Sequence, residues 1–309
     1  MIPFGKILKQ SYWITKTNRF LWIFGLFLFW GNITVLANYS FDQNTSDYQR
    51  YDAAINTWIS AKPMWAAVIG LAAVAVTAAI VYLYFRSRAG LILSVKNILD
   101  KKEARFKKGF TESRIYIKRI FKISLIINIF LVMLMALLAA PVIYLFASGF
   151  PLRALILGIL GSAVFVPIYV TAVFLTSLAP CFVVSFNMKT KPAVLSSLDM
   201  IRDHWPSLLI FNLIMFGITI AATIAAIAGF MISTLPFVLL TRFVYHTGGF
   251  PAAFITGFGI GIGTTVFLFF QAVLAAYVHT AWVLVFEELV KPTSAVPETE
   301  PQIVPETIS

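Results

Sequence analysis

Long apolar runs recur along this chain, around Phe20–Ala37, Pro63–Phe85, Ile123–Ala147, Leu152–Ser177, Ser207–Leu235 and Ala252–Phe286, with polar stretches between them. A bilayer core takes about 20 apolar residues per spanning helix, so the pattern predicts about six transmembrane helices. Three polar stretches carry a helical period of their own. Val194, Leu198, Ile201 and Trp205 fall at i, i+4, i+7 and i+11, with Ser196, Asp199 and Asp203 on the other face. Tyr116, Ile117, Ile120 and Phe121 oppose Arg114, Lys118 and Lys122; Phe4, Ile7 and Leu8 oppose Lys6 and Lys9, with Trp13 off the stripe. Helices with an apolar and a basic face lie in the membrane interface. The predicted fold class is therefore all-α: a polytopic membrane helix bundle of about six spans with three cytoplasmic interfacial amphipathic helices.

The order of elements suggests a threefold hairpin repeat, each unit an interfacial helix followed by a span out and a span back. Ile7-Leu8-Lys9-Gln10-Ser11 aligns without gaps with Ala193-Val194-Leu195-Ser196-Ser197. Internal duplication explains this; so does the general appearance of any helix that enters a bilayer from a basic flank. Between the second and third spans, Leu91, Ile92, Val95, Ile98 and Leu99 prolong a helical stripe, which predicts a helix running to Lys107-Lys108. Gly109 is then its C-cap and Thr111 the N-cap of the next helix. Residues 1–290 make one integral membrane domain. From Lys291 the tail holds four prolines and three glutamates in nineteen residues, an acidic, proline-rich composition that predicts disorder on the cytoplasmic side.

Charge orients the bundle. Twenty of the 24 Lys and Arg residues lie in the N-terminal segment, the second and fourth connections and the tail; only Arg50, Lys62, Arg153 and Arg242 fall on the other side. Positive loops stay cytoplasmic, so both termini are expected inside, in the cytoplasmic (inner) membrane of a multi-pass protein. The first run resembles a signal peptide, but its 19-residue lead and Trp22 and Trp30 fit a retained anchor better. A net charge of +11 raises the question of nucleic acid. Because the charge borders hydrophobic spans, the expected partner is anionic lipid headgroups of the cytoplasmic leaflet, and no nucleic acid. Arg114, Lys118 and Lys122 are the candidate headgroup contacts.

With the spans placed, a resemblance can be drawn. Leu21-Trp22-Ile23-Phe24-Gly25, and Ala193–Ser197 following Pro180-Cys181-Phe182-Val183-Val184, resemble a broad group of bacterial six-helix membrane proteins. The group includes the membrane domain joined to some glycerophosphoryl diester phosphodiesterases. The resemblance covers most of residues 1–290 and implies the six-helix architecture. It carries over no catalytic residue, because the His and acidic cluster of the phosphodiesterase part has no counterpart here.

Candidate chemistry is sparse. Gly257, Gly259, Gly261 and Gly263 form two overlapping GxxxG pairs in the last span, a spacing that lets a neighbouring helix approach closely. Ile262 breaks the GxGxxG pattern of a phosphate-cradling loop. Pro141, Pro167, Pro180 and Pro236 lie within or near spans, where prolines serve as hinges or are simply tolerated. No Asp or Glu lies deep in a span, which weakens ion-coupled transport. Asn128, Asn212 and Gln271 are read as interhelical hydrogen-bonding groups. His204, His246 and His279 fall in separate regions, and the single Cys181 excludes an internal disulfide. No cofactor, metal site or hydrolytic triad is indicated. The leading expectation is a non-enzymatic, lipid-associated scaffold or accessory module; the alternative is a permease for a hydrophobic or lipid-like solute.

Overall fold

The computed structural model describes residues 3–36, 57–244 and 249–291. The polar loop that contains Asn44, the turn with His246 and the tail beyond Lys291 lie outside the described residues. The elements are α1 (Phe4–Thr17), α2 (Leu21–Leu36), α3 (Pro63–Leu99), α4 (Phe106–Glu112), a 3-10 turn (Ser113–Ile115), α5 (Ile117–Ala147), α6 (Pro151–Phe186), α7 (Thr190–Val244) and α8 (Gly249–Val290). Among the described residues there is no strand. The protein is an all-α polytopic helix bundle.

Five helices, α3 and α5 to α8, are long and apolar enough to cross a membrane. The described part of α2 is 16 residues, about 24 Å of helix, against a hydrocarbon core of about 30 Å. The 55-residue α7 is two helices in one. Pro206 cannot donate to the carbonyl four residues back, and the chain leaves helical geometry at His204 (φ −122°, ψ 21°). The segment before this break is the interfacial helix of the third unit; the segment after it is a span.

The order of an interfacial helix and then a hairpin thus occurs three times: α1 with α2 and α3, α4 with α5 and α6, and the start of α7 with its remainder and α8. One detail recurs in all three units. Ser11, Ser113 and Ser197 are each wholly buried. Their hydroxyls donate to Ile7 O (2.8 Å), Phe110 O (2.9 Å) and Ala193 O (2.7 Å). A serine that bonds its own preceding turn presents a small, satisfied surface where helices meet closely. Ser11 and Ser197 are the residues paired by the gapless alignment of the first and third units.

The second unit differs from its sequence reading. Helix α3 stops at Leu99, with Asp100 as C-cap and Lys101 in the left-handed region at φ 55°. Gly109 is therefore not a C-cap, nor Thr111 an N-cap; both lie inside α4, which is the interfacial helix. Lys118 and Lys122 stand on the first turns of the spanning helix α5, and Arg114 on the 3-10 turn before it. The apolar stripe at 116–121 belongs to a span that begins early. In the third unit the buried face is Ala193, Ser197 and Ile201, and Leu198 is exposed, so the stripe is rotated from the one expected. Small residues beside the core win over a larger one at its margin.

The core is asymmetric. Buried residues concentrate where the basic segments gather: Phe85–Val95 of α3, Ile117–Ile127 of α5, Ala172–Val184 of α6 and Ala276–Phe286 of α8, with Ile7, Leu21, Phe24 and Ile201. Phe174 packs against Trp205 (5.4 Å between centroids) and Trp282 (6.0 Å). Phe211 meets Trp282 edge-on at 5.0 Å and Phe4 at 6.1 Å. These five rings tie α1, α6, α7 and α8 together, each pair contributing about 0.5–1.5 kcal/mol beyond burial. Toward the other end burial thins, most of all along α3. From Pro63 to Ala79 nearly every residue of α3 is exposed.

Candidate functional site: the basic end of the bundle

Four cations of the α3–α5 connection are built into the fold. Pro180 has no N–H, so the Thr176 carbonyl loses the helical donor it would otherwise accept from. The guanidinium of Arg88, only 6% exposed, reaches across from α3 and donates to that carbonyl through Nη2, while Nη1 lies 3.5 Å from the Tyr84 hydroxyl. Arg88 has no ion-pair partner among the described residues; what holds it is the acceptor that the proline leaves open.

Two more cations finish the same helix. Lys96 Nζ donates to Ser185 O at 2.8 Å. Arg119 Nη1 donates to Asn187 O (3.0 Å), Asn187 Oδ1 (2.7 Å) and Met188 O (3.3 Å), where Asn187 caps α6 in the left-handed conformation at φ 53°. The end of a helix has four orphan carbonyls and a partial negative charge, which cations satisfy. Arg86 fastens α4: Nε donates to Phe110 O at 2.9 Å, and the guanidinium stacks 3.7 Å over the Phe110 ring. Beneath it, Gly90 and Gly109 meet; a Cβ on Gly109 would run into Ser94 Oγ and one on Gly90 into the Phe24 ring at 2.7 Å.

Arg114, Lys118 and Lys122 have none of these roles. They are exposed, Arg114 on the 3-10 turn and Lys118 and Lys122 one turn apart on α5, and make no hydrogen bond or ion pair with a described residue. Ile115 (69% exposed) and Phe121 stand beside them, so this surface is basic and apolar at once.

The last-span glycines divide into two faces. A Cβ on Gly259 would strike Phe237, and one on Gly263 would strike Thr234 and Phe230, so this pair seats α7 against α8. Gly257 and Gly261 have open space at the same point, and both line a shallow recess of about 510 Å³. A tighter contact lies at Gly25, where a Cβ would meet the Ala272 carbonyl and Ala276 N (2.9 Å). The amides also depart from expectation. Asn128 is exposed and donates to Ser124 O in its own helix (2.7 Å), so it ties no helix to another. Gln271 is buried and Asn212 half-buried, each without a hydrogen-bond partner among the described residues. Cys181 is buried, its Sγ 3.5 Å from Ser177 O. His204 sits at the kink, Nδ1 3.3 Å from Met200 O.

A groove of about 620 Å³ opens between α1, the start of α2, α7 and α8. Two recesses lie between α5 and α6, one of about 910 Å³ near Pro151 and one of about 270 Å³ around Gly158 and Gly161. Asn128, Asn212 and Gln271 line none of these.

No protein-family model, no curated protein and no solved structure matches this chain.

Arg86, Arg88, Lys96 and Arg119 were not distinguished in the sequence from the cations around them. A signal for Arg88 exists: an arginine amid apolar residues of α3, together with a proline in a span elsewhere that opens a carbonyl.

Proposed function

We propose that this integral membrane protein is a non-enzymatic, lipid-associated scaffold or accessory module of the cytoplasmic membrane, with both termini on the cytoplasmic side. The observation that carries this reading is the surface of Arg114, Lys118 and Lys122 beside exposed Ile115 and Phe121. Each Lys or Arg near an anionic leaflet contributes about 1 kcal/mol of attraction, within a Debye length of about 8–10 Å. Neighbouring apolar side chains suit the headgroup–acyl boundary. A close-packed basic end fits a scaffold better than a transit path, as does the position of Asn128, Asn212 and Gln271 away from the cavities described. The resemblance of residues 1–290 to the membrane domain joined to some glycerophosphoryl diester phosphodiesterases agrees with a module that acts beside a separate enzyme.

Changing Arg114, Lys118 and Lys122 together to Gln is expected to lower the number of anionic lipids retained in native mass spectrometry, with unchanged melting temperature. Identical retention in wild type and variant would remove these residues as a headgroup surface. Faster transfer of a fluorescent lipid analogue across proteoliposomes than across protein-free liposomes would favour the permease.

A further inference from the structure

The 620 Å³ groove has a polar end and an apolar end. Tyr12, Thr15 and Lys16 of α1 and Tyr277 of α8 form the first; Ile218 and Ala222 of α7 with Phe270, Val273 and Leu274 of α8 form the second. Trp22 makes a fixed wall between them: its indole N–H donates to Thr15 O at 2.9 Å, and its ring packs edge-on against Phe269 at 5.4 Å.

The polar end has unused capacity of one kind. Lys16 lies 5.6 Å over the Tyr12 ring but has no ion-pair or hydrogen-bond partner among the described residues. Thr15, 97% buried by its 3% exposure, keeps a hydroxyl with no partner, a costly state for a buried polar group. The phenols of Tyr12 and Tyr277 are likewise unbonded within the described residues. Lys16 is the one cation in the lining, and α1 contains no acid. The volume is within the roughly 300–1,000 Å³ typical of small-molecule sites. A cation and hydroxyls at the interface, above an apolar trough between two spans, match the two ends of an amphiphile.

We infer that this groove holds one anionic phospholipid, its phosphate at Lys16 with Tyr12 and Tyr277, and an acyl chain along Ala222, Phe270 and Val273. The site rests on the lipid-associated reading above and deepens it: it is a single defined position between α1, α7 and α8, and it shares no residue with the surface of Arg114, Lys118 and Lys122. An ordered lipid here joins the interfacial helix of the first unit to the hairpin of the third.

The test is native mass spectrometry of the full chain from nanodiscs of equal phosphatidylglycerol and phosphatidylcholine. Wild type is expected to keep one phosphatidylglycerol under collisional activation that strips the others. Ala222→Trp fills the trough and should lose it. Lys16→Gln should keep one lipid but lower the preference for phosphatidylglycerol about fivefold, the share one lysine carries. The exposed Lys16 side chain makes this readout independent of whether the Trp variant folds. An unchanged retained phosphatidylglycerol in a folded Ala222→Trp protein overturns the groove. Zwitterionic phosphatidylcholine, or an apolar molecule without a headgroup, held equally by wild type and Lys16→Gln overturns the headgroup assignment. The Arg114, Lys118 and Lys122 triple variant separates the two readings. The groove lipid should survive in it, and its loss there alone, with Lys16→Gln unaffected, would assign the lipid to that other surface.

Discussion

At the scale of single residues, the pairing of Pro180 with Arg88 explains how a guanidinium sits in an apolar core without a carboxylate. A buried charge is ordinarily held by an opposite charge. Here a main-chain carbonyl stripped of its helical donor takes that place, and each group meets the other's need. A double-mutant cycle follows from this. Arg88→Met should cost about 1–3 kcal/mol by leaving the Thr176 carbonyl unbonded. In a Pro180→Ala background, where residue 180 can donate to Thr176 again, the same change should cost clearly less. Thermal unfolding in detergent of the four proteins gives the coupling energy. Simple additivity would mean that Arg88 is held by something other than the proline-freed acceptor. Neither half of this pair was legible alone: Pro180 appeared as one of four span prolines and Arg88 as one of twelve basic residues in a connection, because the link between them is a tertiary contact 88 residues apart.

At the scale of elements, the helices and their order were legible and the boundaries at the interface were not. Apolar runs of spanning length and the period of the flanking stripes point to the long helices and to α1 directly. The second unit misled because a stripe of 116–121 reads the same whether it lies flat in the interface or starts a span. What decides is the contact of Gly109 with Gly90, which packs α4 on α3 and leaves residues from Ile117 free to enter the bundle. The glycines of α8 carry a similar lesson. Spacing marks both GxxxG pairs equally, and only the neighbouring helix distinguishes them. Gly263→Leu is expected to destabilise by about 1–3 kcal/mol through collision with Thr234 and Phe230, whereas Gly261→Leu should be nearly neutral. Gly25→Val should be worse than either, since its Cβ faces main-chain atoms of Ala272 and Ala276, which cannot rotate away. Melting temperatures of the three variants rank these contacts; a Gly261→Leu protein less stable than Gly263→Leu would reverse the face that α8 presents to α7.

At the scale of the whole molecule, charge and packing coincide. The segments that carry most of the Lys and Arg also surround the buried core, and four of their cations are spent on carbonyls of the fold and not on the surrounding phase. The count of basic residues therefore overstates the charge available to lipid, although it still sets orientation, since insertion reads sequence before tertiary contacts exist. Reporter fusions after Lys102 and Lys191 should then report the cytoplasm, and one after Gly149, in the turn between α5 and α6, the opposite side. The exposed Arg114, Lys118 and Lys122 can be changed to Gln without altering this pattern, because nine basic residues remain in that connection. Substituting Arg86, Arg88, Lys96 and Arg119 instead removes fewer than half of them and should also keep the orientation, but it should lower the melting temperature sharply. Loss of Arg88 or Lys96 removes the side-chain donor from Thr176 O or Ser185 O of α6, and loss of Arg86 or Arg119 unfastens α4 or the chain just past α6. If that quadruple variant inverted at Lys102 while remaining as stable as wild type, the cations would be topological signals alone, and the stapling of the basic end would contribute nothing to the fold.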